Sequence, residues 1–411
     1  MLCLFVAAGA VVLLHRPQTA VVPARHGTPG AARPAPRSTD ARSEASTAVL
    51  QRLVSALRHG SARQAAALAA PGDDRARAEL MTLRHNVHAL AITDLSMRYV
   101  DEDEGRLSLA RQKALGGDAW VGQVQLSWRL RGFDRHDSRM ELPVTFRQDG
   151  ARTSFVTARR GRHGAPLWML QRVSAARDGR SMVVAGSDEV PRFSRLAARA
   201  VVDVDRVLRH WHGRLVVEVP DSSAVLDRAL GATSGAYDEI AAVTTTADGS
   251  RSSTAPVHIF VNPSVFDPLG PHGSQIVMSH EATHVATNAA LSSMPPWLLE
   301  GFADYVALAR SHLPVSLTAS QILAQVRRKG PPKHLPGQVE FDTQNQRLGA
   351  SYESAWLACR LLAQRYGEQR LIRFYRASAR ASSTTAAFRA LGTTQRAFTR
   401  AWREDLRRLA G

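Results

Sequence analysis

Two neighbouring apolar segments, separated by a pair of prolines, constrain this 411-residue chain more than any other feature. The first segment, residues 276–287, reads IVMSHEATHVAT, and the second, residues 297–305, reads WLLEGFADY. Both have the composition of helices, and Pro295 and Pro296 end the first helix and let a second begin near Trp297. The sequence therefore predicts two consecutive helices, the second of which can return antiparallel to the first.

The first helix carries an H-E-x-x-H motif that runs from His280 to His284. Residues four apart share one face of a helix, so both imidazoles can reach a single tetrahedral ion. Glu281 is offset toward the coordination position that such a site leaves open. The alternative is a histidine pair on a helix surface with no metal, and the motif alone does not exclude it.

The second helix supplies the missing ligand. Glu300 can point back at the two histidines, and two His plus one Glu complete the three-ligand set of a catalytic zinc. Asp304 lies one turn further on the same face, where its carboxylate can accept the remaining N–H of a ligand imidazole, most plausibly that of His280. We therefore expect one Zn²⁺ on His280, His284 and Glu300, with Glu281 as general base and Asp304 behind the ligands.

An H-E-x-x-H helix followed by W-L-x-E-G-x-A-D-Y resembles the gluzincin clan of zinc metallopeptidases, which includes thermolysin-like, aminopeptidase-like and compact peptidase-MA-like members. The resemblance covers about residues 190–410, and its motifs are specific only between 276 and 306. It implies the same ligands, base and supporting aspartate. One departure is the interval between His284 and Glu300, 300 − 284 = 16 residues, which is shorter than in thermolysin-like enzymes and implies a tighter interhelical loop.

The resemblance implies hydrolysis of a peptide bond, in which Glu281 takes a proton from water and passes it to the leaving amine. The oxyanion needs a further donor, and Tyr352 is our choice because gluzincin-like aminopeptidases carry a tyrosine on a helix downstream of the Glu ligand. His334 is the rival candidate. Tyr352 could equally be a packing residue at the start of a helix.

Substrate binding is expected at a strand upstream of the motif. Residues 240–244 and 257–261 read as two strands around the turn 247–250, in the order that gluzincins show before the metal helix. If the likeness holds, Ala241, Ala242 and Val243 present free backbone groups to an extended peptide that binds by strand addition. The alternative is an ordinary edge hairpin.

The pattern along the whole chain predicts an α+β fold in two domains. The predicted organisation is an apolar signal or membrane anchor (1–14), a disordered Pro/Ala/Arg-rich linker (15–45), an N-terminal domain (46–186) and a gluzincin-like zincin domain with a mostly helical C-terminal subdomain (190–411). The leader predicts an extracytoplasmic protein, either membrane-anchored or secreted.

The N-terminal domain reads as helices followed by a curved antiparallel sheet. Residues 49–57 have helical apolar spacing, and apolar alternation marks strands near 95–99, 124–130 and 142–146, which we continue with a strand at 167–173. This order resembles the architecture of cystatin-like or cone folds. No polar constellation in 46–186 indicates chemistry, so a binding or spacer function is the default.

The formal net charge of +17 does not indicate a nucleic-acid partner. The chain has only three lysines, and its arginines are spread along the whole length without the interleaved aromatics of a stacking surface. The expected partners are instead a peptide or protein substrate and, through the N-terminal segment, a membrane. The two cysteines, Cys3 and Cys359, provide no disulfide framework, and we expect Cys359 to be a small buried apolar residue.

A second class of function remains open at this stage. The chain could be a catalytically weak or inactive peptidase-like envelope protein that binds peptide or polymer. The sequence favours the enzyme, because a decaying site would be expected to lose Glu281 first and Glu281 is present.

Overall fold

The computed structural model of the chain describes residues 39–103, 107–116, 118–342 and 345–411. The predicted leader (1–14) and most of the predicted linker (15–45) lie outside the described residues. The last part of that linker is helical, because the first helix already begins at Thr39. Arg42 explains this difference: its guanidinium pairs with Glu102 at 2.6 Å and with Asp118 at 2.5 Å, and these long-range contacts leave no apolar periodicity in the sequence.

The fold is α+β, as the sequence predicts. The first unit comprises α1 (Thr39–Arg58), α2 (Ala62–Ala66), α3 (Asp74–Ala89), β1 (Ile92–Glu102), α4 (Leu109–Leu115), β2 (Asp118–Leu130), β3 (Ser138–Asp149) and β4 (Arg152–Ala158). Its four strands form an antiparallel sheet in the order β1-β2-β3-β4. Buried Val124, Leu126, Trp128 and Leu130 alternate with less buried residues along β2, so one face of the sheet packs on the helices.

The second unit is built on a five-stranded mixed sheet. It comprises α5 (Leu167–Leu170), β5 (Ser174–Asp178), β6 (Ser181–Ala185), α6 (Val190–Val207), β7 (Leu215–Glu218), α7 (Ser223–Ala229), β8 (Ala242–Thr246) and β9 (Val257–Val261). The strand order is β5-β6-β7-β9-β8, in which β6, β7 and β9 are parallel and the two outer strands are antiparallel to their neighbours.

This second sheet is buried on both faces, which explains why β6 and β7 are almost continuously apolar. Met182 and Val184 of β6 join the core of the first unit, whereas Val183 and Ala185 join the core of the helices that follow. The second sheet is therefore a layer shared by the two cores.

The shared layer corrects two expectations. The predicted domain 46–186 includes the hairpin β5–β6, which belongs to the second sheet, because β6 pairs in parallel with β7 and parallel pairing leaves no alternating pattern. The strand predicted at 167–173 is wrong at its start: Leu167–Leu170 is a short helix. A brief apolar run is compatible with either a buried strand or a buried helix.

The rest of the described chain is helical. It contains α8 (Pro263–Phe266), α9 (Gly270–Thr287), α10 (Pro296–Ala307), α11 (Val315–Thr318), α12 (Ser320–Lys329), α13 (Leu348–Tyr366), α14 (Glu368–Ala381), α15 (Thr385–Ala390) and α16 (Gln395–Ala410). Their core is rich in aromatic side chains, among them Trp297, Phe302, Phe388 and Trp402. Cys359 lies fully buried in the same core, as its sequence context predicts. Within the described ranges, no helix has both the length and the apolarity needed to cross a membrane.

Candidate metal centre

The metal-binding motif lies on α9, which is enclosed by its neighbours. This helix packs against α6, α10 and β8, and its residues from Ile276 to His284 are buried. Asn288, in the left-handed conformation at φ 55°, ends the helix, and Pro296 is the first residue of α10. The predicted break and restart are therefore present, with α10 beginning one residue before Trp297.

Three ligand atoms converge between α9 and α10. The Nε2 atoms of His280 and His284 lie 2.9 Å apart, and Oε2 of Glu300 lies 3.1 Å from the first and 3.3 Å from the second. Ligands of a tetrahedral zinc, each about 2.0–2.1 Å from the ion, are separated from one another by roughly 3.3 Å. The spacing in this cluster is therefore close to that of a zinc site.

Asp304 fixes the proton on His280. Nδ1–H of His280 donates to Oδ1 of Asp304 at 2.7 Å, so the neutral ring presents an unprotonated Nε2 toward His284 and Glu300. This is the arrangement that a metal ligand requires, and it is the contact that the sequence leads us to expect for Asp304. Nδ1 of His284, by contrast, is buried and has no hydrogen-bond partner among the described residues.

The electrostatics of the cluster favour a cation. Burial by itself would raise the pKa of Glu300, but the charge of His284 and hydrogen bonds from both histidines lower it to about 2. A carboxylate held ionised beside two imidazoles, in a site where all three residues are buried, supplies the negative charge that a divalent ion needs. The donor set of two nitrogens and one oxygen suits Zn²⁺.

Glu281 points to a different neighbour from the ligands. Its Oε2 accepts a hydrogen bond from the hydroxyl of Thr244 on β8 at 2.6 Å, and burial raises the pKa of its carboxyl group. A carboxyl group with a raised pKa is a stronger proton acceptor than an ordinary glutamate. Thr244 is the residue of this site that the sequence analysis missed, although its place in a Thr-Thr-Thr run on a strand offers a weak signal.

Tyr352 lies beside the cluster. Its ring, on α13, meets the ring of His280 edge-on with centroids 6.2 Å apart, and Phe341 packs on its other side at 5.0 Å. Burial and the nearby carboxylates of Glu300, Asp304 and Glu281 raise the pKa of Tyr352 well above its usual value. The phenol therefore stays protonated and can act as a hydrogen-bond donor.

His334 does not share this environment. Its side chain is 69% exposed, and its Nε2 faces Glu340 at 3.9 Å, so its nearest charged partner lies on the surface. Of the two candidates for an oxyanion donor, the structure brings only Tyr352 into contact with a metal-site residue.

The glycine after Glu300 sets the distance between α10 and α13. A Cβ atom on Gly301 would lie 2.3 Å from the carbonyl oxygen of Ala355 and 3.1 Å from Sγ of Cys359. Both contacts are too short, so only glycine permits this helix packing. The close approach places Tyr352, one turn before Ala355 on α13, near the metal ligands on the neighbouring helices.

The predicted peptide-binding strand is the outer strand of the second sheet. β8 begins at Ala242, two residues later than predicted, and it pairs only with β9 among the described strands. Ala241 immediately precedes the strand, and Ala242 and Val243 are its first residues. Thr244, the next residue, connects this strand to Glu281 on the metal helix.

Comparison of the chain with protein-family models and with curated proteins gave no match.

Proposed function

We propose that the protein is a zinc-dependent peptidase of the gluzincin type. The observation that carries this proposal is the convergence of His280, His284 and Glu300, whose three ligand atoms lie within 3.3 Å of one another next to a buried Glu281. Zn²⁺ bound by such a set acts as a Lewis acid and lowers the pKa of coordinated water to about 7. The zincin arrangement of the second unit is part of the same proposal.

The residues around the cluster have complementary functions in this proposal. Glu281 accepts the proton of the attacking water and then gives it to the leaving amine. The protonated phenol of Tyr352 donates a hydrogen bond to the oxygen of the scissile carbonyl as it gains charge. Asp304 holds His280 in the tautomer that leaves Nε2 unprotonated.

The substrate in this proposal is an extended peptide. β8 is an outer strand whose second edge pairs with no described strand, and Thr244 connects it directly to the catalytic base. A peptide that adds to this edge through Ala241, Ala242 and Val243 would lie alongside α9. Action outside the cytoplasmic membrane is supported by the apolar run from Leu2 to Leu14, which is typical of an export signal.

A catalytically weak peptide- or polymer-binding protein is the second candidate. One observation favours it: His280, Glu281 and His284 are at most 1% exposed and Glu300 is 4% exposed, so a substrate needs an opening of the site before it can reach the metal. The enzyme remains our preferred proposal, because the ligands, the base and a protonated tyrosine occur together.

Metal analysis and one variant separate the two functions. Purified protein should contain one zinc per chain, and wild-type protein should cleave members of a peptide library that Glu281→Gln, with its zinc retained, does not cleave. Zinc at one equivalent with identical wild-type and variant profiles would establish the binding protein. The absence of zinc affinity would rule out both proposals for the site.

A further inference from the structure

A surface groove far from the motif is lined by arginines. It has a volume of ≈ 900 Å³ and lies between α3, α4, the end of β4, α5 and α7. Arg75, Arg111, Arg159 and Arg228 lie on its walls, and we call this concavity the arginine groove. The four residues come from three separate helices and from the segment after β4, so they are not simply the solvated face of one helix.

The cations of the groove lack internal partners. Within the described ranges, the guanidinium groups of Arg75, Arg111, Arg159 and Arg228 make no hydrogen bond or ion pair with another residue. All four residues are exposed. A fifth arginine on the groove, Arg160, uses one nitrogen to donate to the carbonyl of Ala232 at 2.9 Å and retains its other donors.

The acidic residues of the groove are already engaged. Glu79 accepts hydrogen bonds from the backbone N–H of Ala158 at 2.9 Å and from the hydroxyl of Thr157 at 3.0 Å, which fixes α3 to β4. Asp73 caps α3 through the N–H of Ala76 at 2.9 Å, and Asp74 pairs with Arg77 at 2.9 Å. The groove therefore presents unpaired positive charge and no carboxylate without a partner.

We propose that the arginine groove binds an acidic segment of a polypeptide. A guanidinium group matches a carboxylate in a bidentate, planar arrangement, and its fixed charge persists at every physiological pH. The cations are carried by separate elements along the walls, which suits a chain with several charges better than one compact anion. Half-buried Met169 and Leu170 lie on the same groove and offer apolar contacts to side chains between the acidic ones.

Direct binding tests this site independently of the metal centre. All proteins carry Glu281→Gln so that no peptide is hydrolysed, and the probe is a fluorescent peptide of alternating Glu and Leu. Arg159→Gln/Arg228→Gln should bind it at least about tenfold more weakly than its parent. The control, Arg396→Gln/Arg400→Gln, removes the same charge from exposed positions on α16 and should bind as the parent does.

Three results would overturn the proposal. The first is equal loss of binding in both double variants, which would show attraction to net charge alone. The second is absence of binding to the parent at low ionic strength. The third is displacement of the peptide by inorganic tripolyphosphate as effectively as by an unlabelled peptide, which would show a site for compact anions. Unchanged thermal melting of both variants would show that they are folded.

Discussion

The hydroxyl of Thr244 lies 2.6 Å from Oε2 of Glu281, and both residues are buried. This hydrogen bond connects the outer strand β8 to the helix that carries the metal ligands. It therefore holds the carboxylate of Glu281 in one orientation and also fixes the distance between the proposed base and the proposed peptide-binding edge. Thr244 is accordingly a positioning residue in the mechanism proposed above.

Replacing Thr244 tests that function. Thr244→Val keeps the shape of the side chain but removes the hydroxyl, so kcat should fall about 10-fold or more, with KM and zinc content unchanged. Thr244→Ser retains the hydroxyl and should recover most of the rate. Steady-state kinetics on a peptide identified in the library would measure the effect. Equal losses in the Val and Ser variants would assign Thr244 to packing instead.

The sequence predicts the local part of this site well. His280, His284 and Glu300 are read from spacing on two consecutive helices, and the helix period alone determines which side chains share a face. Asp304 follows for the same reason. In each case the relevant geometry is contained in about 25 residues of continuous chain, 304 − 280 = 24.

Long-range contacts are the part that sequence reasoning does not reach. Thr244 and Glu281 are 37 residues apart, and nothing in the strand pattern states which helix the strand will contact. The hairpin β5–β6 was assigned to the wrong unit for a related reason, because pairing of β6 with β7 depends on residues 30 or more positions downstream. Arg42, which holds the early start of α1, depends on partners 60 and 76 residues away.

Loss of Asp304 should weaken metal binding. In Asp304→Ala the Nδ1–H of His280 loses its acceptor, so the ring can rotate or change tautomer, and zinc affinity should fall about 10- to 100-fold. Competition with a chromogenic chelator measures the affinity. Asp188→Ala removes an exposed carboxylate and serves as the control for net charge. Equal affinity in Asp304→Ala and the parent protein would contradict the proposed hydrogen bond.

Tyr352 can be separated from a packing residue by one oxygen atom. Tyr352→Phe keeps the ring contacts with His280 and Phe341 but removes the donor, so kcat should fall about 10²- to 10³-fold while the melting temperature changes little. His334→Ala should leave kcat unchanged, since His334 is exposed. A melting temperature lowered without a loss of kcat would make Tyr352 a structural residue.

A second buried histidine joins the two units of the fold. His258 of β9 donates from Nδ1 to Oε1 of Glu218 at 2.7 Å and from Nε2 to Oδ1 of Asp134 at 3.0 Å. Asp134 follows β2 of the first unit, whereas Glu218 is the last residue of β7 in the second. Burial lowers the pKa of His258, but the two carboxylates outweigh it and raise the pKa to about 10.

This triad should make stability depend on pH above neutrality. The pKa of His258 is higher in the folded state than the value of about 6.5 in an unfolded chain, so its contribution is complete below pH 6.5 and is lost as pH rises toward 10. His258→Gln leaves two buried carboxylates without a cation and should lower the free energy of unfolding by roughly 3–5 kcal/mol at neutral pH. Urea denaturation at neutral pH and near pH 10 should show the gap between parent and variant closing as pH rises. A gap of constant size would mean that His258 is not charged in the folded protein, and that the three side chains are held by neutral hydrogen bonds.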